Sequence, residues 1–252
     1  TRQKAFAFIN IFGLTIGLIG FILIFLFVRY ELSFDRHNEK LDRLYMIVRD
    51  VHLDNNVYNF TPLPFPFKDV IAEEFPEIER AARVDPWNRF IVRAGEKVFD
   101  EPCVVSDKEI FDMFTFRFVE GDVQNPMPDI SSVVLSRRMA EKYFGSESAL
   151  GKTLQINGNF DFTVTAVFDD LPSTSTLLAD IFVPVSFLKD LGRDLTNWGT
   201  NSINVYLLLK KGTNVAEFEK KLEPRLGQAN VNPQPGEKLD KLFLHPYKDI
   251  HL

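Results

Sequence analysis

The sequence predicts an α+β protein with one N-terminal transmembrane helix followed by a two-lobed domain outside the cytoplasm. Three observations support this fold class. Residues 5–28 contain no Asp, Glu, Lys or Arg. Short segments with strand and helix periodicity alternate through the rest of the chain. The 252 residues are 45% hydrophobic and 25% charged, which is typical of a globular protein and excludes disordered and collagen-like classes.

The apolar segment from Ala5 to Val28 predicts a membrane-spanning helix. As a helix it would be about 36 Å long, which exceeds the roughly 30 Å hydrocarbon core of a bilayer. A signal peptide would have a shorter apolar region and a small-residue cleavage site, whereas this segment ends in Phe-Leu-Phe-Val. Residues 1–4 carry Arg2 and Lys4 without an acid, so we expect them to form a cytoplasmic stub.

One face of this helix has the composition of a helix-packing surface. At 100° per residue, four residues fall within about 80° of one another. They are Asn10, Gly13, Gly17 and Gly20. Small residues let a second helix approach closely, and an Asn can hydrogen-bond across the contact. This face therefore predicts packing against further transmembrane helices, although Gly is common enough in such helices for chance to explain the pattern equally well.

The charge and cysteine content of residues 29–252 limit the partners of the outer domain. This part holds 27 basic and 35 acidic residues, a formal charge of −8, so nucleic acid is not expected to bind. Cys103 has no second cysteine to pair with and lies in a strand-like Cys-Val-Val run. We predict that it is a small buried hydrophobic residue rather than a nucleophile.

Two units of strand–helix–strand order flank the middle of the chain. The first has a strand at residues 43–53, a loop at 54–64, a helix at 66–75 and strand segments at 78–84 and 90–92. The second has a strand at residues 204–210, a helix capped by Asn214 with its buried stripe ending at Leu226, and a strand at 241–245. Gly227, Pro233 and Pro235 are expected to end that helix.

The middle segment has a different pattern of helix and strand signals, which predicts an inserted α/β lobe. Ser106 to Glu109 reads as a capping box, and Ser136 caps a helix at 137–144 that Gly145 ends. Strands at 153–156 and 160–168 flank Asn157-Gly158, a strong hairpin signal. We therefore divide the outer domain into residues 29–94, 95–199 and 200–252.

No catalytic or metal-binding constellation is found in the sequence. Gly145 to Thr153 resembles a phosphate-binding loop, but five residues separate its glycines where four are needed, and a helix precedes it where a strand should. Asp169 and Asp170 are adjacent, which favours a turn before Pro172 over an acid–base pair. The four histidines lack zinc-site spacing, and no Gly-x-Ser-x-Gly motif occurs. We predict that the chain is not an enzyme.

A Phe- and Pro-rich stretch at residues 60–67 allows two interpretations. Phe60, Phe65 and Phe67 could form an exposed ridge for a partner or a lipid-like substrate. The simpler alternative is a loop packed down by its own aromatic rings.

Several motifs resemble the MacB/FtsX-type ABC transporter permeases, and the resemblance covers nearly the whole chain. The most specific match is Val134-Leu135-Ser136 with Ala140 and Tyr143-Phe144-Gly145, followed by Gly151-Lys152-Thr153-Leu154. The other matching segments are 8–17, 31–36, Leu44-Tyr45, 105–114, 120–122, 164–172 and 249–252. The resemblance also explains the near-match to a phosphate-binding loop as a structural turn.

The resemblance implies a function that the residues alone do not. Such permeases have four transmembrane helices, and a large periplasmic domain follows the first. This domain has a porter-like lobe of two β-α-β units with an inserted α/β lobe. The chain would then be a non-catalytic part of a longer permease in the bacterial inner membrane, with most of its residues in the periplasm.

The resemblance also implies partners. They are a cytoplasmic ABC ATPase, which binds ATP in place of this chain, a second permease copy, membrane lipid and a periplasmic or outer-membrane protein. The permease would transmit ATPase-driven motion to the periplasm for export or extraction of a substrate.

A membrane-anchored sensor is the alternative from a different functional class. In that case the outer domain binds a ligand, and a single further hydrophobic segment leads to a signalling module. Three further hydrophobic segments would instead favour the permease. A third possibility, an anchored periplasmic enzyme, is weakened by the missing catalytic motifs.

Overall fold

A computed structural model describes residues 2–53, 56–225 and 241–251 of the chain. These residues form a long N-terminal helix and a mixed α/β domain built on one twelve-stranded sheet. The α-helices are α1 Arg2–Glu31, α2 Phe67–Glu74, α3 Ile110–Met113, α4 Arg137–Phe144, α5 Phe187–Asp190 and α6 Val215–Leu222. The strands are β1 Leu44–Leu53, β2 Asn56–Phe60, β3 Leu63–Pro64, β4 Ile78–Ala94, β5 Lys97–Ser106, β6 Phe118–Gly121, β7 Ser132–Ser136, β8 Thr153–Ile156, β9 Phe160–Phe168, β10 Ile181–Pro184, β11 Asn201–Leu209 and β12 Lys241–Pro246. Short 3₁₀ helices lie at Leu41–Arg43, Glu223–Arg225 and Tyr247–Asp249.

Helix α1 contains the whole predicted apolar segment and continues three residues past Val28, to Glu31. Within Asn10–Glu31 the most apolar window of 18 residues has a mean hydropathy of 2.8, and that window is not buried against the domain. The Thr15 hydroxyl donates a 2.7 Å hydrogen bond to the Ile11 carbonyl, which satisfies this polar group within the helix. By length and composition α1 can therefore cross a bilayer.

The two predicted strand–helix–strand units are present, and their strands are interleaved. The first unit is β1-α2-β4 and the second is β11-α6-β12, in the sheet order β12-β1-β11-β4. Each neighbouring pair in this order is antiparallel. The two strands of one unit are therefore parallel and separated by a strand of the other unit. Because the two strands of a unit do not pair with each other, neither unit forms a sheet alone, and the two units together make one body.

The inserted segment continues the same sheet. The seventeen-residue strand β4 pairs with β5 over most of its length, and the order then runs β5-β10-β7-β9-β6. A register shift between Asp85 and Asn88 marks a bulge within β4, where the sequence indicated a break between two strand segments. The domain boundaries at residues 95 and 200 remain a prediction, since the sheet itself is continuous across the two lobes.

The sheet separates two apolar cores. Ile47 of β1 faces one core, whereas Leu44, Met46 and Val48 face the other, as the two-residue period of a strand requires. Helices α2, α4, α5 and α6 cover the first, which we call the helix-side core. The second, which we call the junction-side core, is covered by α3, by the loop that contains Leu177 and by the 3₁₀ helix that begins at Tyr247.

Local capping signals predicted from sequence are confirmed at two helices. The Ser136 side chain accepts from the Met139 amide at the start of α4, and Gly145 follows with a φ of 70° that favours glycine. The Asn214 side chain accepts from the Glu217 amide at the start of α6. The predicted positions of Leu226, Gly227, Pro233 and Pro235 lie outside the described residues.

Two local predictions were wrong. The segment at 54–64 was predicted to be a loop, but residues 56–60 form β2 against β1, and β3 pairs with β11. All five β2 side chains are exposed, so no buried face produced the alternation that identifies a strand. Ser106 does not cap α3, because it ends β5 opposite Val84. The turn before α3 is instead closed by a backbone bond from Ile110 to the Asp107 carbonyl.

Candidate functional site at the helix–domain junction

The connection between α1 and the sheet is built without a flexible linker. Helical turns continue beyond Glu31, because the amides of Leu32 and Ser33 bond to the carbonyls of Val28 and Tyr30 at 3.0 and 2.9 Å. The chain reaches β1 only twelve residues after α1 ends. We call residues 32–43 the exit segment, and its contacts with the rest of the domain define the junction.

Asp35 is the central anchor of the exit segment. Its side chain is buried, and its backbone has a φ of 57°, which Asp tolerates better than most residues. The Asp35 amide donates to the Thr174 carbonyl at 2.8 Å. In return the Asp35 carboxylate accepts from both the amide, at 2.9 Å, and the hydroxyl of Thr176. This exchange joins the exit segment to the loop that precedes β10.

Asn38 makes the second connection. It is buried, and its amide nitrogen donates to the Asp35 carbonyl at 3.2 Å. Its amide oxygen accepts from the Thr115 amide at 3.0 Å, and the Thr115 hydroxyl accepts from the Glu39 amide at 2.9 Å. The Lys40 ammonium also donates to the Asp112 carbonyl. The exit segment is thereby fixed to α3 and the residues that follow it.

At its far end the exit segment is attached directly to the sheet. The Arg43 guanidinium donates to the Leu209 carbonyl at 2.8 Å and pairs with the Glu79 carboxylate. Leu209 ends β11 and Glu79 lies near the start of β4, so one side chain holds strands from both interleaved units. A displacement of the exit segment would therefore transmit force to the sheet through side-chain contacts as well as through the main chain.

Buried aromatic rings lie beneath these contacts. The rings of Phe114, Tyr206 and Tyr247 pack edge-to-face with centroids 4.9 to 5.7 Å apart. Burial raises the pKa of Tyr206 to about 12 and holds the pKa of Tyr247 well above its ordinary value, so both phenols stay neutral. Close packing of such rings resists deformation, which gives the exit segment a rigid base.

His37 lies at the junction, and its surroundings shift the pKa of its imidazole. Burial lowers the pKa of the imidazole, and the nearby Asp35 carboxylate opposes that shift. Nδ1 is buried and has no hydrogen-bond partner among the described residues. The ring lines a groove of about 470 Å³ together with Thr115, Arg117, Arg137, Asp169, Asp170, Leu171 and Pro172.

Acidification should weaken the junction through His37. Because the folded-state pKa is depressed, the folded chain binds fewer protons than the unfolded chain, and stability falls as the pH drops from about 6.5 toward the folded pKa. We expect the thermal midpoint to fall more steeply between pH 7 and pH 5 in the wild type than in His37→Gln. The control His245→Gln leaves His37 in place and should retain the steep fall. Equal slopes for all three proteins would contradict this assignment.

The predicted packing face of α1 is exposed in the structure. Asn10, Gly13 and Gly17 are exposed and Gly20 is partly so. No other part of the described chain comes within 4 Å of where a Cβ would stand at the three glycines. The face is therefore free to receive a neighbouring helix, and its packing role remains a prediction.

The other sequence candidates have structural partners. The Gly145–Thr153 segment connects α4 to β8, and Lys152 pairs with Glu147. Asp169 pairs with Arg137 and Arg117, whereas Asp170 accepts from the Arg138 amide at 2.9 Å. Across residues 2–53, 56–225 and 241–251, no group of three His, Cys, Asp or Glu side chains is placed to hold a metal ion.

Cys103 is buried, as predicted, and burial raises the pKa of its thiol. The Phe- and Pro-rich stretch follows the simpler alternative in part. Phe65 and Phe67 are buried in the helix-side core, and the Phe65 ring lies 4.7 Å beneath the Arg83 guanidinium. Phe60 alone of the three is exposed, at 38%.

Sequence reasoning missed the junction residues. Asp35 lies in the family-like segment 31–36, but nothing in that segment indicates its bonding role, and no local motif distinguishes Asn38 or Thr176. Asp35 and Thr176 lie 141 residues apart in the chain, so only the folded structure brings them together. The available signal was indirect, namely the absence of a Gly- or Pro-rich linker between Val28 and Tyr45.

Three solved structures that share this fold are described as domains of permeases or transporters. A domain assigned to a permease protein from Porphyromonas gingivalis is 21% identical with a TM-score of 0.69, covering 84% of this chain and 92% of that one. The periplasmic region of MacB from Actinobacillus actinomycetemcomitans is 17% identical with a TM-score of 0.60, covering 82% and 90%. The extracellular domain of the noncanonical ABC-type transporter YknZ from Gram-positive bacteria is also 17% identical, with a TM-score of 0.56, covering 80% and 98%.

Sequence identities this low establish a common fold only. The family is therefore assigned from the sequence comparison. No curated protein matches the chain. The family model for the MacB-like periplasmic core domain matches residues 7–225, which is most of the sequence and includes α1 from residue 7 onward, the exit segment and all but the last strand. The chain therefore belongs to the MacB-like periplasmic core domain family, as part of a MacB/FtsX-type ABC transporter permease.

Proposed function

We propose that this chain is a non-catalytic mechanical element, which transmits motion from a cytoplasmic ATPase to the periplasm for the export or extraction of a substrate. The family implies an ABC transporter with a cytoplasmic ATPase partner. The observation that carries the proposal is the bonded path from α1 through Asp35, Asn38 and Arg43 into the sheet. A path of this kind can transmit a displacement, whereas a flexible linker would absorb it.

The interleaved strands support this role. The exit segment leads directly into β1, which pairs with β11 on one side and β12 on the other. A force applied to β1 therefore acts on both strand–helix–strand units, and β4 carries it into the inserted lobe through β5. We infer that the outer domain moves as one body when α1 tilts or shifts.

The proposed assembly has its membrane contacts on α1. Asn10, Gly13, Gly17 and Gly20 would pack against other transmembrane helices of the permease, and the opposite face would contact lipid. ATP would be bound by the ATPase rather than by this chain. A second permease copy and a periplasmic or outer-membrane protein complete the proposed set of partners, in the bacterial inner membrane with most of the chain in the periplasm.

A flexible insertion at the start of the exit segment tests the proposal. We expect a Gly-Ser linker after Glu31 to abolish transport by the assembled permease, because α1 could then move without displacing Asp35 and β1. Assembly with the ATPase should persist, since α1 itself is unchanged. Transport and co-purification of the ATPase are the two measurements.

The same linker placed after Gly158 provides the matched control. Gly158 lies in the turn between β8 and β9, with open space around it, so this insertion should leave transport intact. Full transport by the Glu31 insertion variant would count decisively against mechanical transmission through the exit segment.

A further inference from the structure

A second contact joins the end of α1 to the domain, and it does not involve Asp35. The ring of Phe34 stacks on the imidazole of His251, with centroids 3.3 Å apart and planes 9° from parallel. The His251 Nε2 atom lies 3.2 Å from the Glu31 carboxylate. Glu31 is the last residue of α1, and His251 lies just after the 3₁₀ helix at Tyr247–Asp249. Residues far apart in the sequence thus meet where α1 enters the domain.

The geometry favours a contact whose strength depends on protonation. A protonated imidazole forms a charge-assisted bond with a carboxylate and is attracted to the face of a stacked aromatic ring. A neutral imidazole has no positive charge to strengthen either interaction.

The surroundings leave the contact open to protons. The Glu31 and His251 side chains are 24% and 32% exposed, and Glu31 and Phe34 line a groove of about 530 Å³. Other titratable or charged groups at this corner come from every adjoining element. They are Tyr30 of α1, Arg36, Glu39 and Asp42 of the exit segment, and Lys248 and Asp249 of the C-terminal 3₁₀ helix. The Arg36 guanidinium is already engaged by the Leu32 carbonyl, whereas Glu31 is in direct contact with the imidazole.

We propose that Glu31, Phe34 and His251 form a clasp that tightens on acidification and fixes the direction in which α1 leaves the domain. His251 is then a positioning residue, since it acts through α1. The clasp goes beyond the proposed function, because it assigns a proton-dependent contact to named side chains. It would set how firmly α1 is held in environments of different pH.

A double-mutant cycle isolates the clasp from all other titrating groups. The variants are Glu31→Gln, His251→Gln and the double variant, each in the full chain in detergent, with the unfolding equilibrium constant measured in urea at pH 5.5 and pH 8. We expect the coupling between the two sites to change that constant about two- to fivefold at pH 5.5, as for a partly exposed ion pair, and to approach unity at pH 8. The cycle cancels the effects of His37 and of the other carboxylates.

Two conservative variants separate charge from stacking. His251→Lys keeps a positive charge at both pH values, so its coupling to Glu31 should no longer depend on pH. His251→Phe keeps an aromatic ring against Phe34 and should show no coupling at either pH. Coupling that is absent at pH 5.5, or equal at both pH values in the wild-type cycle, would overturn the proposal. These measurements need neither ATP nor transport, so such a result would leave the proposed function standing.

Discussion

Gly121→Ala is expected to destabilise the domain by about 3 to 5 kcal/mol, a loss large enough to unfold a marginally stable protein. Gly121 ends β6 with a φ of 93°, where a side chain is strained. A Cβ at this position would stand 2.3 Å from the Thr165 carbonyl oxygen and 2.7 Å from the Ala166 Cα. Both atoms belong to the backbone of β9, so relief requires β6 and β9 to separate.

The consequence of separating β6 from β9 extends into the junction-side core. Phe118 of β6 packs near the rings of Phe111 and Phe116, and Phe116 in turn contacts Phe168 of β9. Loss of the β6 edge would therefore loosen a cluster of edge-to-face aromatic contacts as well as strand pairing. Urea unfolding followed by fluorescence of Trp87 and Trp198 measures the loss.

Gly212→Ala is the matched control for Gly121→Ala. Gly212 has a similar φ of 82°, and nothing lies within 4 Å of its Cβ position. We expect this control to cost only about 1 kcal/mol, from backbone strain alone. Equal losses in the two variants would show that the close approach of β6 to β9 is absent in solution.

The sequence was informative wherever a local signal decided the structure. Apolar alternation located β1, the run at residues 204–210 located β11, and Ser136 with Gly145 marked both ends of α4. The hairpin of β8 and β9 followed from Asn157-Gly158, whose residues both have positive φ. In each case the residues that determine the element lie within a few positions of one another, so periodicity and capping rules are sufficient.

The sequence was uninformative where contacts between distant segments decide the outcome. Gly121 resembled a family motif, but only the register of β6 on β9 shows why a side chain cannot be accepted there. The interleaving of strands from the two units likewise depends on pairing across most of the chain. Asp35 bonds through its amide to Thr174 and through its carboxylate to Thr176, so its substitution is a direct test of the junction.

Asp35→Ala is expected to cost about 3 kcal/mol and to uncouple the exit segment from the loop before β10. The substitution removes the acceptor for the amide and hydroxyl of Thr176, and hydrogen bonds to a charged group contribute about 1.5 to 3 kcal/mol. It also places an alanine at a φ of 57°, which adds about 1 kcal/mol of strain. The desolvation of a buried carboxylate offsets part of this sum.

Amide hydrogen exchange distinguishes local uncoupling from general destabilisation. The Thr176 amide should exchange about 100-fold faster in Asp35→Ala, while amides of β7 and β9 change only by the global loss of stability. Asp35→Asn retains a side-chain oxygen and tolerates the same backbone, so it should retain most of the protection. Ser173→Ala changes an exposed residue of the same loop and should have no effect.

The pattern across these variants identifies how α1 is anchored. If the Asp35 carboxylate holds the loop, protection of Thr176 will fall in the order wild type, Asp35→Asn, Asp35→Ala, and transport by the assembled permease will fall in the same order. Unchanged exchange at Thr176 in Asp35→Ala would mean that the Asp35 amide bond to Thr174 is sufficient. The mechanical path would then pass through Asn38 and Arg43, which reach α3 and the sheet without this loop.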